Sequence, residues 1–96
     1  MRQKALGLFN TYILYSKKLN KYYIGSTKDV SKRLKLHNKG RVIFTSRGIP
    51  WILVHKESFD SRSEAYKREK EIKSYKGGFK FKALINEKVR KPLKQS

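Results

Sequence analysis

Residues 9–26 read FNTYILYS-KKLN-KYYIGS, and their reading decides the fold. The first eight and the last six are rich in aromatic and β-branched types, the composition of strands. The four between them, Lys17 to Asn20, suit a turn. The stretch therefore predicts a β-hairpin with strands at 9–16 and 21–26. Side chains alternate faces along a strand. With an even-length turn centred on Lys17 and Lys18, Tyr12 falls opposite Tyr23, and directly opposed residues share a face. Two phenols are expected side by side on one surface. Taken alone, such a pair is more often an aromatic contact that stabilises a sheet.

Working outward, Asp29 is a good N-cap for a first helix. Val30 and Leu34 recur at helical spacing, and Asn38-Lys39-Gly40 supplies its stop, with glycine as the left-handed cap. Residues 39–49 read as a polar, basic loop. Pro50 opens a third strand, Trp51 to Phe59. A second helix follows over 61–74, and a short one is expected around Phe79 to Asn86. Lys91-Pro92 lies in a basic tail. The reading is one α+β domain over 9–86 with a tail over 87–96, and no repeats.

The second helix carries an unusual carboxylate. Ser61 and Glu64 fit a capping box, which gives Glu64 a structural task. Ala65, Glu69 and Ile72 then fall on one stripe, and Ala and Ile mark it as inward-facing. An unpaired carboxylate there is costly. The plainer reading has Glu69 leaning out to pair with Lys73 at i+4. On the first helix, Arg33 and His37 stand at i and i+4, near a helix N-terminus that favours anions. Arg33 could clamp a phosphate through two nitrogens, which Lys cannot match. The plainer readings are a solvated cation for Arg33 and, for His37, a helix-end histidine satisfied by the chain terminus.

Composition bounds the partners. The chain has 96 residues, enough for one small domain, and 38% are hydrophobic, too many for a wholly disordered basic tail. Lys and Arg number 25 against 7 acidic residues, a net charge of +18. The excess is even: 13 basic and 3 acidic residues in 1–60, 12 and 4 in 61–96. A basic excess running through a foldable domain points to a polyanion, nucleic acid first. No long basic amphipathic helix suits a membrane surface, and no segment approaches the length of a span. There is no cysteine, so thiolate metal sites and disulfides are excluded. Met1 to Phe9 lacks the apolar run of a signal peptide, so a cytoplasmic, nucleoid-associated monomer is expected. Phosphate contacts are expected from Lys32, Arg33, Lys35, Arg41, Arg47 and Arg68, with little base reading. A phosphate-facing carboxylate such as Glu69 repels its ligand unless a divalent cation lies between them.

The order Tyr12, Tyr23-Ile24-Gly25, Arg33, His37-Asn38 and Ala65-Tyr66-Lys67-Arg68-Glu69 resembles the GIY-YIG nuclease domain, over roughly residues 9–80. It is most similar to the small stand-alone bacterial type, as seen in Tyr22-Tyr23-Ile24-Gly25-Ser26-Thr27 and Arg68-Glu69-Lys70-Glu71-Ile72-Lys73. Relatives of this kind include the excision-repair nuclease module, intron homing endonucleases, some restriction enzymes and junction-specific nucleases. The resemblance implies a three-stranded antiparallel sheet flanked by helices and a metal-dependent endonuclease acting on DNA. Catalytic roles would fall to Tyr12, Tyr23, Arg33, His37 and Glu69. Glu69 would hold a single divalent cation, Mg²⁺ or Mn²⁺. The two tyrosines would surround the attacking water, Arg33 would steady the phosphate, and His37 would assist. All five are expected on one concave basic face. The resemblance has two departures. Asn10-Thr11-Tyr12 replaces Gly-Ile-Tyr, and the asparagine that larger members carry after the helix-two glutamate is missing from 76–81, with Asn86 a distant candidate. No attached specificity domain is expected, so selectivity would come from nucleic-acid structure or a partner protein. A non-catalytic binding module on the same fold is the alternative.

Overall fold

A computed structural model describes residues 8–85. Asn86 and the tail read over 87–96 lie outside the described residues, so the domain boundary at 86 is not located. Strand β1 (Phe9–Ser16) pairs antiparallel with β2 (Lys21–Thr27) on one side and β3 (Trp51–Phe59) on the other. The sheet order is β2-β1-β3. Helix α1 (Val30–Asn38) follows β2, a 3-10 turn (Ile43–Gly48) precedes β3, and helix α2 (Arg62–Ser74) follows it. Residues 79–85 are helical again. Among the described residues, no helix is long and apolar enough to cross a membrane.

The central strand explains why residues 9–16 do not alternate cleanly between polar and apolar. Both faces of β1 are covered, and Asn10 to Leu14 are all buried. Tyr12 and Leu14 join Val30 and Trp51 in one core, on the α1 side. Ile13 joins Ile72 and Phe81 in a second, on the α2 side. Burying a side chain the size of Ile72 stabilises the fold by roughly 1.5–3 kcal/mol. Thr11, on the α2 side, satisfies its hydroxyl by donating to the Ala65 carbonyl at 2.7 Å. That bond ties β1 to the first turn of α2.

The helix signals behave as read. Asp29 Oδ1 accepts from the Lys32 amide at 2.9 Å, and Ser61 Oγ accepts from the Glu64 amide at 3.1 Å. After α1 the Arg41 amide donates to the Leu36 carbonyl and the Gly40 amide to that of His37. This is a Schellman stop, with Gly40 at φ +75°. Asn38 then brackets the Trp51 backbone, donating to its carbonyl at 3.0 Å and accepting from its amide at 2.6 Å. The end of α1 is thereby docked on the start of β3.

Two expectations need correction. All four residues Lys17–Asn20 form the loop, Ser16 pairs with Lys21, and Tyr12 stands opposite Gly25, with Tyr23 opposite Leu14. The register is two residues from the one expected. A two-residue shift preserves the face, so Tyr12 and Tyr23 are diagonal neighbours on one surface. Residues 39–49 are not simply a loop. Their 3-10 turn has a three-residue period that a search for helical or strand spacing passes over.

Candidate active site

Tyr12, Tyr23 and His37 meet between the sheet and α1. The Tyr12 and Tyr23 ring centres are 6.3 Å apart, and those of Tyr23 and His37 are 4.8 Å apart. His37 is fully buried, and its ring nitrogens meet side chains rather than the chain terminus of the plainer reading. Its Nε2 lies 3.3 Å from Tyr12 Oη and its Nδ1 2.7 Å from Thr45 Oγ1. The far end of this chain favours one arrangement of protons. With the Thr45 hydroxyl donating to the Val42 carbonyl at 3.2 Å, Thr45 Oγ1 is placed to accept from His37 Nδ1–H. A neutral imidazole then offers its Nε2 lone pair to the Tyr12 hydroxyl, which donates. Burial, and next the Arg33 charge, push the His37 pKa down, which favours that neutral form.

The same surroundings keep Tyr12 protonated. Burial raises the phenol's pKa most, and the charges of Tyr23 and Glu69 act in the same direction. Arg33 opposes them through its charge and a hydrogen bond, without overcoming them. The nearby cation that a basic phenol would need is therefore present, but outweighed. Tyr12 is only 1% exposed, whereas Tyr23 is half-buried.

Glu69 reaches this region from the other layer. Its helix, α2, packs on the face of the sheet that carries Thr11 and Ile13, opposite α1. The expected single concave face is thus corrected: four residues share the α1 side, and the carboxylate comes to the edge strand β2. There Glu69 Oε1 accepts from Ser26 Oγ at 2.8 Å and Oε2 from Lys73 Nζ at 2.7 Å. The Lys73 contact is the plainer pairing read from sequence, but the side chain is only 12% exposed. Its charge acts on Tyr12 in the direction that keeps the phenol protonated. A Cβ at Gly25 would stand 2.7 Å from Tyr12 Oη and 2.9 Å from Cζ. Only glycine lets the Tyr12 ring lie against β2 in this way.

Beside these residues an open groove of about 530 Å³ is lined by Ser26, Thr27, Lys28, Asp29, Lys32, Arg33, Leu36 and Arg62. Four cations against one carboxylate suit a phosphate backbone. Asp29 caps α1 with its own side chain, so the helix terminus contributes less to anion binding than its position suggests. Lys28 and Arg62 flank the Phe9 ring, each 5.6 Å from its centre. Neither cation was singled out in the sequence, and neither were Ser26 and Thr45. Lys35, Arg41 and Arg47 are exposed but do not line the groove. Arg68 is a correction. Its Nε and Nη2 donate to both oxygens of Glu57 at 2.7 and 3.0 Å, and its Nη1 is 3.1 Å from Glu71. Hydrogen bonding to Glu57 raises its pKa. Arg68 clamps α2 to β3 and has no free edge for phosphate.

A family model described as the GIY-YIG catalytic domain matches residues 8–82. The chain belongs to the GIY-YIG family. It is 46% identical over 66 residues to a UPF0213 protein of Staphylococcus saprophyticus, covering 68% of this chain and 79% of that one. It is 52% identical over 54 residues to a UPF0213 protein of Haloquadratum walsbyi, covering 55% of this chain. That match spans 61% of the Haloquadratum protein, less than two thirds of its length. The solution structure of a UPF0213 protein from Bacillus halodurans is 37% identical, covers 69% of this chain and 70% of its own, and has a TM-score of 0.42.

In GIY-YIG terms the motif tyrosines are Tyr12 and Tyr23, and the motif glycine Gly25 is the close-approach point just described. Among the described residues, no group of three or more His, Cys, Asp or Glu side chains forms a metal cage. Small hard cations are commonly held by one or two carboxylates, with waters and substrate phosphates completing the shell. A largely buried Glu69 with the Ser26 hydroxyl beside it fits that sparse mode.

Proposed function

We propose that this chain is a metal-dependent endonuclease that hydrolyses phosphodiester bonds in DNA. The observation that carries the reading is one juxtaposition. A satisfied Tyr12–His37–Thr45 chain, a solvent-reachable Tyr23, Arg33 and an open basic groove adjoin a carboxylate at the sheet edge. Lys28, Lys32 and Arg62 would hold the backbone in the groove, largely without reading bases. Arg33, on the groove wall beside Tyr12, would stabilise charge growing on the phosphate in the transition state. Tyr23 would orient the attacking water. Tyr12, sealed from solvent with its proton directed to His37, would hold that surface rigid. Glu69 and Ser26 would hold one Mg²⁺ or Mn²⁺. When bound, such a cation neutralises phosphate charge, acidifies water and assists the leaving oxygen.

Repair, recombination or mobile-element processing would supply such substrates in the cytoplasm, with targeting left to DNA structure or a protein partner. A second reading is a non-catalytic nucleic-acid binding module. One observation favours it: the Lys73 ammonium already sits on Glu69 Oε2. Supercoiled plasmid incubated with the protein in Mg²⁺ or Mn²⁺ should be nicked, and chelator should abolish nicking. DNA binding with no cleavage of plasmid, single-stranded or branched DNA in either metal would give the second reading the lead.

A further inference from the structure

The 3-10 turn ahead of β3 carries an apolar tip that neither core uses. Ile43 is 87% exposed and Phe44 89% exposed. In a 3-10 helix, residues three apart eclipse one another. Thr45 and Gly48 share the inward side and are both buried. Phe44 and Arg47 share another side, and both are exposed. One side of the turn therefore carries both an aromatic residue and an arginine.

The inward side is fixed in place. Thr45 Oγ1 lies 2.7 Å from His37 Nδ1, and the Thr45 carbonyl accepts from Trp51 Nε1 at 2.8 Å. The Gly48 carbonyl accepts from Ser16 Oγ at 2.7 Å. The tip is thus anchored to the same side chains that hold the candidate active site. The segment around it is wholly basic. No Asp or Glu occurs between Asp29 and Glu57, and Lys39, Arg41 and Arg47 flank the tip in sequence.

Cations that track phosphates, combined with an exposed aromatic face, are the elements of single-strand recognition. In an intact duplex both faces of a base are covered by its neighbours. Only an unpaired or unstacked base offers a free face. We propose that Phe44, accompanied by Arg47, is a stacking platform for an unpaired base next to the candidate cleavage site. This selects single-stranded or distorted DNA over regular duplex. The inference rests on the nucleic-acid reading above and names the substrate feature that reading leaves open.

The test uses the full chain in chelator, so that DNA is bound without being cut. The probes are single-stranded, bulged and fully paired oligonucleotides carrying 2-aminopurine, whose fluorescence falls on stacking. The parent should quench the unpaired probes and not the paired one. Phe44→Ala should lose that quenching and bind single strands about 5- to 100-fold more weakly, with duplex affinity unchanged. Phe44→Trp should restore both effects. Because Phe44 is exposed, both variants should melt like the parent. Equal weakening on single-stranded and duplex DNA, or no weakening on either, would overturn the proposal. So would unchanged DNA binding with an altered oligomeric state in sedimentation, which would make the tip a protein contact. A parent that binds no nucleic acid would overturn the function reading as well. A parent that binds and cleaves without any Phe44 effect would overturn this inference alone.

Discussion

Replacing Gly25 with alanine tests the site's geometry with a single methyl group. The backbone at Gly25 is not in the left-handed region, so alanine can adopt it without strain. Its Cβ would lie 2.7 Å from Tyr12 Oη, 2.9 Å from Tyr12 Cζ and 3.1 Å from Tyr23 Cε2. Ordinary van der Waals contact begins near 3.4 Å, so the Tyr12 hydroxyl must move about 0.7 Å. The ring is buried among Leu14, Val30 and Trp51 and cannot swing freely. Its hydroxyl is also held 3.3 Å from His37 Nε2. Overpacking of this kind costs about 1–3 kcal/mol. A shift of about 1 Å in the side chains that support a catalytic surface can cost on the order of a hundredfold in rate. Gly25→Ala should therefore melt somewhat lower, bind DNA normally through the groove cations, and cleave on the order of a hundredfold more slowly. Chemical denaturation, fluorescence anisotropy and single-turnover cleavage read the three effects separately. A variant as stable and as fast as the parent would refute the close-approach role of Gly25.

The proton chain and the ion network give two further predictions. Thr45→Val removes the acceptor for His37 Nδ1–H. It should cost about 1–3 kcal/mol for a buried unsatisfied donor and abolish the Nδ1–H tautomer in histidine ¹⁵N NMR spectra. An Nε2–H tautomer in the parent would contradict the chain as drawn. The lowered His37 pKa also fixes a sign. The folded state favours the neutral ring, so the stability it contributes is present above the unfolded value of about 6.5 and is lost as pH falls through the lower folded value. Melting temperature should drop on acidification through that window, and His37→Gln should flatten the drop. Arg68→Ala leaves Glu57 and Glu71 without their guanidinium. It should destabilise by about 1–3 kcal/mol, since the pair with Glu57 is only partly exposed, while the salt dependence of DNA binding stays unchanged. A reduced salt slope would return Arg68 to the phosphate-contacting residues.

Much of this molecule is legible in its sequence because the signals are local. The β-rich run 9–16, the N-caps Asp29 and Ser61, and the Gly40 stop each act within a few residues, and each stands where it was read. The register slipped by two because four loop residues or two leave the same alternation of faces. What the sequence hides is the layering. Glu69 shares a helical stripe with Ala65 and Ile72, but nothing local says that this helix lies across the sheet from α1 and reaches the site only at the edge strand. Arg68 looks like any other cation until Glu57, eleven residues away on β3, is seen to hold it. Thr45 is one hydroxyl in a basic loop until the buried His37 points at it.

The central claim is that Glu69 serves a cation in phosphodiester cleavage, and one comparison tests it most directly. Glu69→Gln keeps an oxygen for Ser26 and the size of the side chain, but removes the charge that holds Lys73 and that a divalent metal would need. Glu64→Gln, at the exposed start of the same helix, is the control. Single-turnover cleavage of end-labelled DNA in Mg²⁺ and in Mn²⁺ should be lost in Glu69→Gln and nearly unchanged in Glu64→Gln, with both variants folded and Glu69→Gln binding DNA at least as tightly as the parent. Cleavage by Glu69→Gln at the parent's rate and metal dependence would contradict the account.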